Sequence, residues 1–219
     1  ELRVLAALSK DEHMMNAFKN GEDIHKEVAS KVFDVPFDEV TKEQRSKAKA
    51  VNFGIVYGIT SFGLSQQLDT TRKESQEYID NYLKKYSGVK EYMDEQVKNA
   101  QNNGFVTTLF GRKRYIPELK SKNYMVREFG KRVAMNSPIQ GTAADIMKIA
   151  MIRCFDELKK SGIDARIVLQ VHDELLIEAA EKDKLRAIEI LKDSMENAVN
   201  MDVKLKVDVQ SANDWYDAK

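Results

Sequence analysis

The sequence predicts an α+β fold, a mostly helical region followed by a small antiparallel sheet with helices packed on it. Three observations carry that expectation. Two capping boxes, Thr41-Lys42-Glu43-Gln44 and Thr71-Arg72-Lys73-Glu74, open helices in the first half. Apolar residues recur at helical spacing over residues 78–100 and again over about 125–158. Beyond Arg166 the pattern changes to short apolar runs, 166–171 and 175–179, separated by His172-Asp173-Glu174 in the manner of a hairpin.

Each element follows in order. The second capping box opens a helix whose inner stripe is Tyr78, Ile79, Tyr82, Leu83 and Tyr86, expected to end at Gly88. A further helix carries Val89, Tyr92, Met93, Val97 and Ala100 and stops at Asn103-Gly104. A β-like run, 105–110, leads into a basic cluster. The long helical pattern that follows should be interrupted near Pro138 and Gly141. After the hairpin, a helix is expected to bury Leu185, Ile188, Leu191, Met195 and Val199, and a last strand spans 203–209 before Trp215-Tyr216.

Composition narrows the class. Of 219 residues, 42% are apolar and 32% charged, ordinary for a globular protein. The single cysteine, Cys154, allows no internal disulfide and favours a reducing, cytoplasmic setting. No apolar run approaches the roughly 18–20 residues of a membrane span, and no secretion leader is visible. The chain opens at Glu1 without a methionine and runs straight into the apolar stretch 4–8, so it reads as a segment of something longer. Basic and acidic residues balance at 35 each, but unevenly along the chain. Residues 105–132 hold eight basic residues against two acidic; residues 173–219 hold twelve acidic against seven basic. Such a split suits a polyanion at one place and cations at another, and equally two solvated faces of opposite sign.

Three constellations carry chemistry. Arg45, Lys49, Phe53 and Tyr57 are each four apart and share one helix face. Two cations followed by two aromatics suit a nucleoside triphosphate, with Ala48, Val51 and Ile55 opposite as the packing side. An amphipathic helix with snorkelling basic stems would give the same pattern. Second, Asp173 and Glu174 are adjacent carboxylates at a strand end; they repel unless a cation sits between them, and offer half of a Mg²⁺ site or a plain polar turn. Third, Arg132, Asn136 and Gln140 follow the basic cluster at four-residue spacing. Their donors match the minor-groove acceptors common to every base pair, although a polar stripe on a solvated helix reads alike.

Taken in order, these residues resemble the DNA polymerase I family (family A). Glu1-Leu2-Arg3 is similar to the end of that family's first motif, Asp-Tyr-Ser-Gln-Ile-Glu-Leu-Arg. Arg45, Lys49, Phe53-Gly54 and Tyr57-Gly58 match its fingers-helix motif, and Thr107 to Pro117 its basic fingers segment. Arg132, Asn136, Gln140-Gly141 and Ala143-Ala144-Asp145 fit its long primer-template helix. Gln170-Val171-His172-Asp173-Glu174 fits its third motif.

The resemblance implies residues 1–10 as the end of the first palm motif, 11–130 as fingers and 131–219 as palm. It implies two-metal nucleotidyl transfer from a dNTP to a primer 3′-hydroxyl on primer-template DNA, with Mg²⁺ as cofactor. Asp173 would be the metal ligand, with Glu174 supporting it. Arg45 and Lys49 would hold the triphosphate, Lys49 protonating the leaving pyrophosphate. Phe53 would pack on the sugar, Tyr57 lie near the templating position, and Glu1 block a ribose 2′-hydroxyl. Arg132, Asn136, Gln140 and His172 would hold the duplex near the primer terminus. No membrane and no obligate protein partner are implied. The family's first-motif aspartate lies five residues before the motif glutamate, and so before Glu1. The isolated chain is therefore expected not to turn over, and to act at most as a nucleotide- or duplex-binding module. A single-subunit RNA polymerase fits less well, because Glu1 would exclude the 2′-hydroxyl.

Overall fold

The computed structural model describes residues 1–218 and divides into two compact units, residues 1–142 and 143–219. The fold is α+β. No helix among the described residues is long and apolar enough to cross a membrane.

The first unit is almost wholly helical: α1 (Leu2–Ser9), α2 (Glu12–Lys19), α3 (Ile24–Val32), α4 (Lys42–Val56), α5 (Ser61–Leu68), α6 (Arg72–Lys85) and α7 (Ser87–Asn103). Both capping boxes form. Thr41 Oγ1 accepts the Gln44 N–H at 3.2 Å while the Gln44 side chain accepts the Thr41 N–H at 2.9 Å, and Thr71 with Glu74 repeats the exchange. The face of α7 bearing Val89, Met93 and Ala100 is buried, and the helix stops at Gly104 in the left-handed conformation, as the sequence predicts.

Gly88 does not end α6. Tyr86 caps that helix, and Gly88 lies inside α7, where its N–H donates to Asp11 Oδ2 at 2.9 Å. The other Asp11 oxygen caps α2 by accepting the Met14 N–H at 2.9 Å, so one carboxylate ties α2 to the start of α7. A side chain at position 88 would press on the Asp11 backbone, which explains the glycine.

The run 105–110 is a strand only over β1 (Phe105–Thr107), paired antiparallel with β2 (Lys113–Tyr115). Residues 108–111 turn instead, closed by the Thr108 N–H on the Arg112 carbonyl and the Gly111 N–H on the Thr108 carbonyl, both at 3.0 Å, and pinned to the next helix, α8 (Tyr124–Ser161). The Leu109 N–H donates to the fully buried Thr142 hydroxyl at 2.9 Å, and Arg112 Nη2 donates to the Gly141 carbonyl at 3.0 Å. A Cβ on Gly141 would lie 2.6 Å from Thr108 Cγ2, so this glycine serves close approach and does not break the helix. Pro138 forfeits one ladder bond, yet α8 runs unbroken for 38 residues.

The second unit holds the C-terminal part of α8, the hairpin β3 (Ala165–Val171) and β4 (Glu174–Ala179), and α9 (Lys184–Glu196). Its core is Met147, Cys154, Leu158, Leu175 and Ile190. Burial pushes the Cys154 thiol up to about 11. Arg153 ties α8 to α9, reaching Asp193 and the Asn197 carbonyl at 2.6 Å each. The hairpin pairs Arg166 with Glu178 and Val171 with Glu174, with a bulge between Ile167 and Leu169.

Two expectations fail here. On α9, Leu191 and Met195 pack against this core as expected, beside the buried Ala187, Ile190 and Ser194, but Leu185 is 76% exposed and Val199 lies beyond the helix end. Leu185 precedes Ala187 by two residues, roughly 200° around the axis, and so faces out. Residues 203–209 form no strand among the described residues. A strand needs a ladder partner, and here the Val207 N–H donates to the Glu196 side chain at 3.1 Å instead.

Asp11→Ala strands two backbone donors at once and should lower stability by about 3 kcal/mol, against about 1 kcal/mol for Thr41→Ala, read from urea-denaturation midpoints.

Candidate functional site

The α4 helix presents two unlike faces. Ala48, Val51, Asn52 and Ile55 are buried, packed where α3 lies alongside. Arg45 and Lys49 are exposed on the outer face, and Phe53 and Tyr57 are half-buried with ring centroids 6.1 Å apart. The Tyr57 hydroxyl donates to the Glu1 carboxylate, which brings the first residue of the chain to the end of the stripe. Gly58, at φ +71, ends the helix; a Cβ there would meet Met135 at 2.9 Å and Arg132 at 3.1 Å.

Arg45 is not free in this conformation. Its Nε donates to Asp23 Oδ2 at 2.6 Å, while Asp23 also caps α3 through the Lys26 N–H at 3.0 Å. Burial works against the Asp23 charge, but the Arg45 guanidinium and the Lys26 N–H outweigh it and hold that carboxyl below its ordinary range. Lys49 has no ion-pair partner among the described residues.

His25 is the residue that sequence reading missed. Its ring centroid lies 6.1 Å from that of Phe53, and its Nδ1 pairs with Asn52 Nδ2 at 2.8 Å. Burial, then the Arg45 charge, lowers its pKa; Asp23 opposes this and Lys49 adds to it. The imidazole is therefore neutral at pH 7, a polar group set among two cations and an aromatic ring. Its only sequence signal was the neighbouring capping residue, Asp23.

A second group gathers along α8. An open groove of about 620 Å³ is lined by Tyr57, Arg112, Arg114, Phe129, Arg132 and Gln140, among others. Arg132 stacks its guanidinium 5.9 Å from the Phe129 ring. Asn136 lines the same groove, although its amide reaches back to the Tyr57 carbonyl at 3.5 Å. The structure thus brings Arg132, Asn136 and Gln140 together beside the basic hairpin of the first unit.

In the second unit, His172 and Asp173 form the turn between β3 and β4, and Glu174 begins β4. His172 sits at φ 51, and Gln170 Nε2 donates to its carbonyl at 2.7 Å, which fixes the turn. His172, Asp173 and Glu174 are exposed, and both carboxylates border a hollow of about 490 Å³ with Leu191, Met195 and Trp215. Among the described residues no third metal-type ligand joins these two carboxylates.

The family described as DNA polymerase family A matches residues 1–217. The chain is 54% identical over 220 residues to DNA polymerase I of Bacillus subtilis, covering all of this chain and 25% of that protein. It is 53% identical over 219 residues to DNA polymerase I of Caldicellulosiruptor bescii, covering all of this chain and 26% of that one. The chain therefore spans about a quarter of the length of these relatives. Among solved structures, a polymerase domain from M. smegmatis, in complex with DNA primer-template and dNTP, superimposes with a TM-score of 0.94 at 43% identity. That match covers 99% of this chain and 38% of the other.

His25 makes the first unit sensitive to acid. The unfolded imidazole takes up a proton near 6.5, whereas the folded one resists it to lower pH, so unfolding gains protons as pH falls. The stability held by neutral His25 is complete above 6.5 and declines below it. Urea midpoints should fall between neutral pH and about pH 5, and His25→Gln should flatten that slope.

Proposed function

The chain belongs to DNA polymerase family A, and on that premise we propose that it supplies the nucleotide-binding and duplex-facing part of a template-directed DNA polymerase. The reaction is nucleotidyl transfer: the primer 3′-hydroxyl attacks the α-phosphate of a dNTP and pyrophosphate leaves. The observation that carries this reading is the outer face of α4, where two cations, two rings and the Glu1 carboxylate stand in line above a fully buried inner face.

On that face Arg45 and Lys49 bind the triphosphate, and Lys49 gives a proton to the departing pyrophosphate. Arg45 must exchange Asp23 for phosphate, a trade of one charge-assisted partner for another. Neutral His25 adds a donor beside them. Phe53 packs on the deoxyribose, and Tyr57 lies at the templating end. The Tyr57 hydroxyl holds the Glu1 carboxylate in place, where it excludes a ribose 2′-hydroxyl. Arg132, Asn136 and Gln140 reach minor-groove acceptors from the groove, with Arg112 and Arg114 on the phosphates. His172 contacts the primer end.

Family A polymerases use divalent metals. Asp173 and Glu174 fit one side of a Mg²⁺ site, being hard oxygen donors adjacent in sequence where the turn held by Gln170 meets β4. Mg²⁺ takes about six ligands, so these residues are part of a set and not the whole. When bound, the ion supplies charge neutralisation at the reacting phosphate. In this reading residues 1–10 close the palm's first motif, 11–130 are fingers and 131–219 palm, in a cytoplasmic, nucleoid-associated enzyme.

Arg45→Ala and Lys49→Ala should each weaken dNTP binding roughly tenfold or more, measured by calorimetry on variants with unchanged circular dichroism. Unchanged affinity in both would reduce the stripe to a solvated face. Primer extension is to be compared between the chain and a version extended to the full length of its relatives. The chain alone is expected to bind duplex in a salt-dependent way without extending. The longer version should extend, and Asp173→Ala should abolish it. Binding without extension in both would favour a module that holds nucleotide and duplex without chemistry.

A further inference from the structure

We propose that the hollow between α3, α4 and α6 binds a small amphipathic monoanion, a carboxylate carrying an apolar body of one or two rings. The hollow measures about 280 Å³, and its walls include Val28, Val51, Ile55, Tyr78 and Tyr82. A cavity of about 150 Å³ with apolar walls is enough to hold benzene, so two fused rings fit here. Lys31 and Lys85 also line it.

The charge at this site does not balance. Both ammonium groups share one carboxylate: Lys85 is bonded to Glu27, and Lys31 stands 3.9 Å from the same oxygen. The Tyr86 hydroxyl donates to the other Glu27 oxygen at 3.5 Å. Two cations thus face one anion, and they repel each other. Burial, then the neighbouring Lys85, lowers the Lys31 pKa, and a second carboxylate would favour its charged form. An apolar body with an anionic head matches both the walls and the surplus charge, whereas the same body with a cationic head matches the walls alone. Val51 and Ile55 lie on the inner face of α4, away from Arg45, Lys49 and Phe53. The site is therefore separate from the proposed nucleotide face, and its test does not depend on that reading.

The test titrates the chain with 1-naphthoate by calorimetry, with 1-naphthylmethylammonium as the cationic counterpart. Saturable one-to-one binding of naphthoate is expected, with none of the ammonium compound. Lys31→Gln should weaken naphthoate roughly tenfold. The Lys31 side chain is 63% exposed, so this change leaves the core alone. Val32→Trp, placed to fill the hollow, should abolish binding, with circular dichroism checking that both variants remain folded. Absence of saturable naphthoate binding overturns the proposal. So does equal affinity for the two probes, unchanged affinity in Lys31→Gln, or persistence of binding in Val32→Trp.

Discussion

The roll of α4 about its own axis is the constraint on which the first unit depends. Ala48, Val51 and Asn52 expose no surface, and Ile55 exposes 4%. Turning the helix by one residue, about 100°, would bring these groups out and carry Lys49 or Arg45 inward. Burying an unpaired ammonium costs several kcal/mol, and exposing the apolar side forfeits about 25 cal/mol per Å². Both terms oppose the same rotation. The contact between Asn52 and His25 adds a polar key, since it is satisfied at one roll and one position of α3. Close packing thus sets the line of Arg45, Lys49, Phe53 and Tyr57 before any ligand arrives.

Much of this was legible because it is local. Capping boxes, the four-residue stripe and the hairpin each occupy a short window, and each formed where the residues indicated. What escaped was long-range. His25 precedes Arg45 by a whole helix and a loop, and no periodicity links them. Asp11 and Gly88 stand 77 residues apart, so neither reveals that one carboxylate serves two helix starts. Gly88 and Gly141 looked like breakers, whereas each marks a close approach of another chain segment. Residues 203–209 have strand composition without a ladder partner, and composition alone makes no strand. On α9, Leu191 and Met195 do face the core while Leu185 does not, because a single apolar residue in a first turn can stand in solvent with little penalty.

The second unit relies on its helices. A two-stranded hairpin is marginal in water by itself. Here Leu175 reaches into a core supplied by α8 and α9, and Arg153 clamps those helices at their rim. The turn that carries Asp173 is therefore anchored from behind, while the carboxylates remain in solvent. That arrangement is consistent with the role proposed for Asp173, since a metal ligand needs a rigid support and an open front.

The same core determines how the protein responds to thiol reagents. Cys154 exposes no surface, and with its pKa at about 11 almost none of it is thiolate at neutral pH. To a maleimide the chain is in effect cysteine-free without any mutation. One cysteine introduced on the outer face of α4 would then be a unique anchor for a dye or spin label, and the helix could be followed by spectroscopy in an otherwise native sequence.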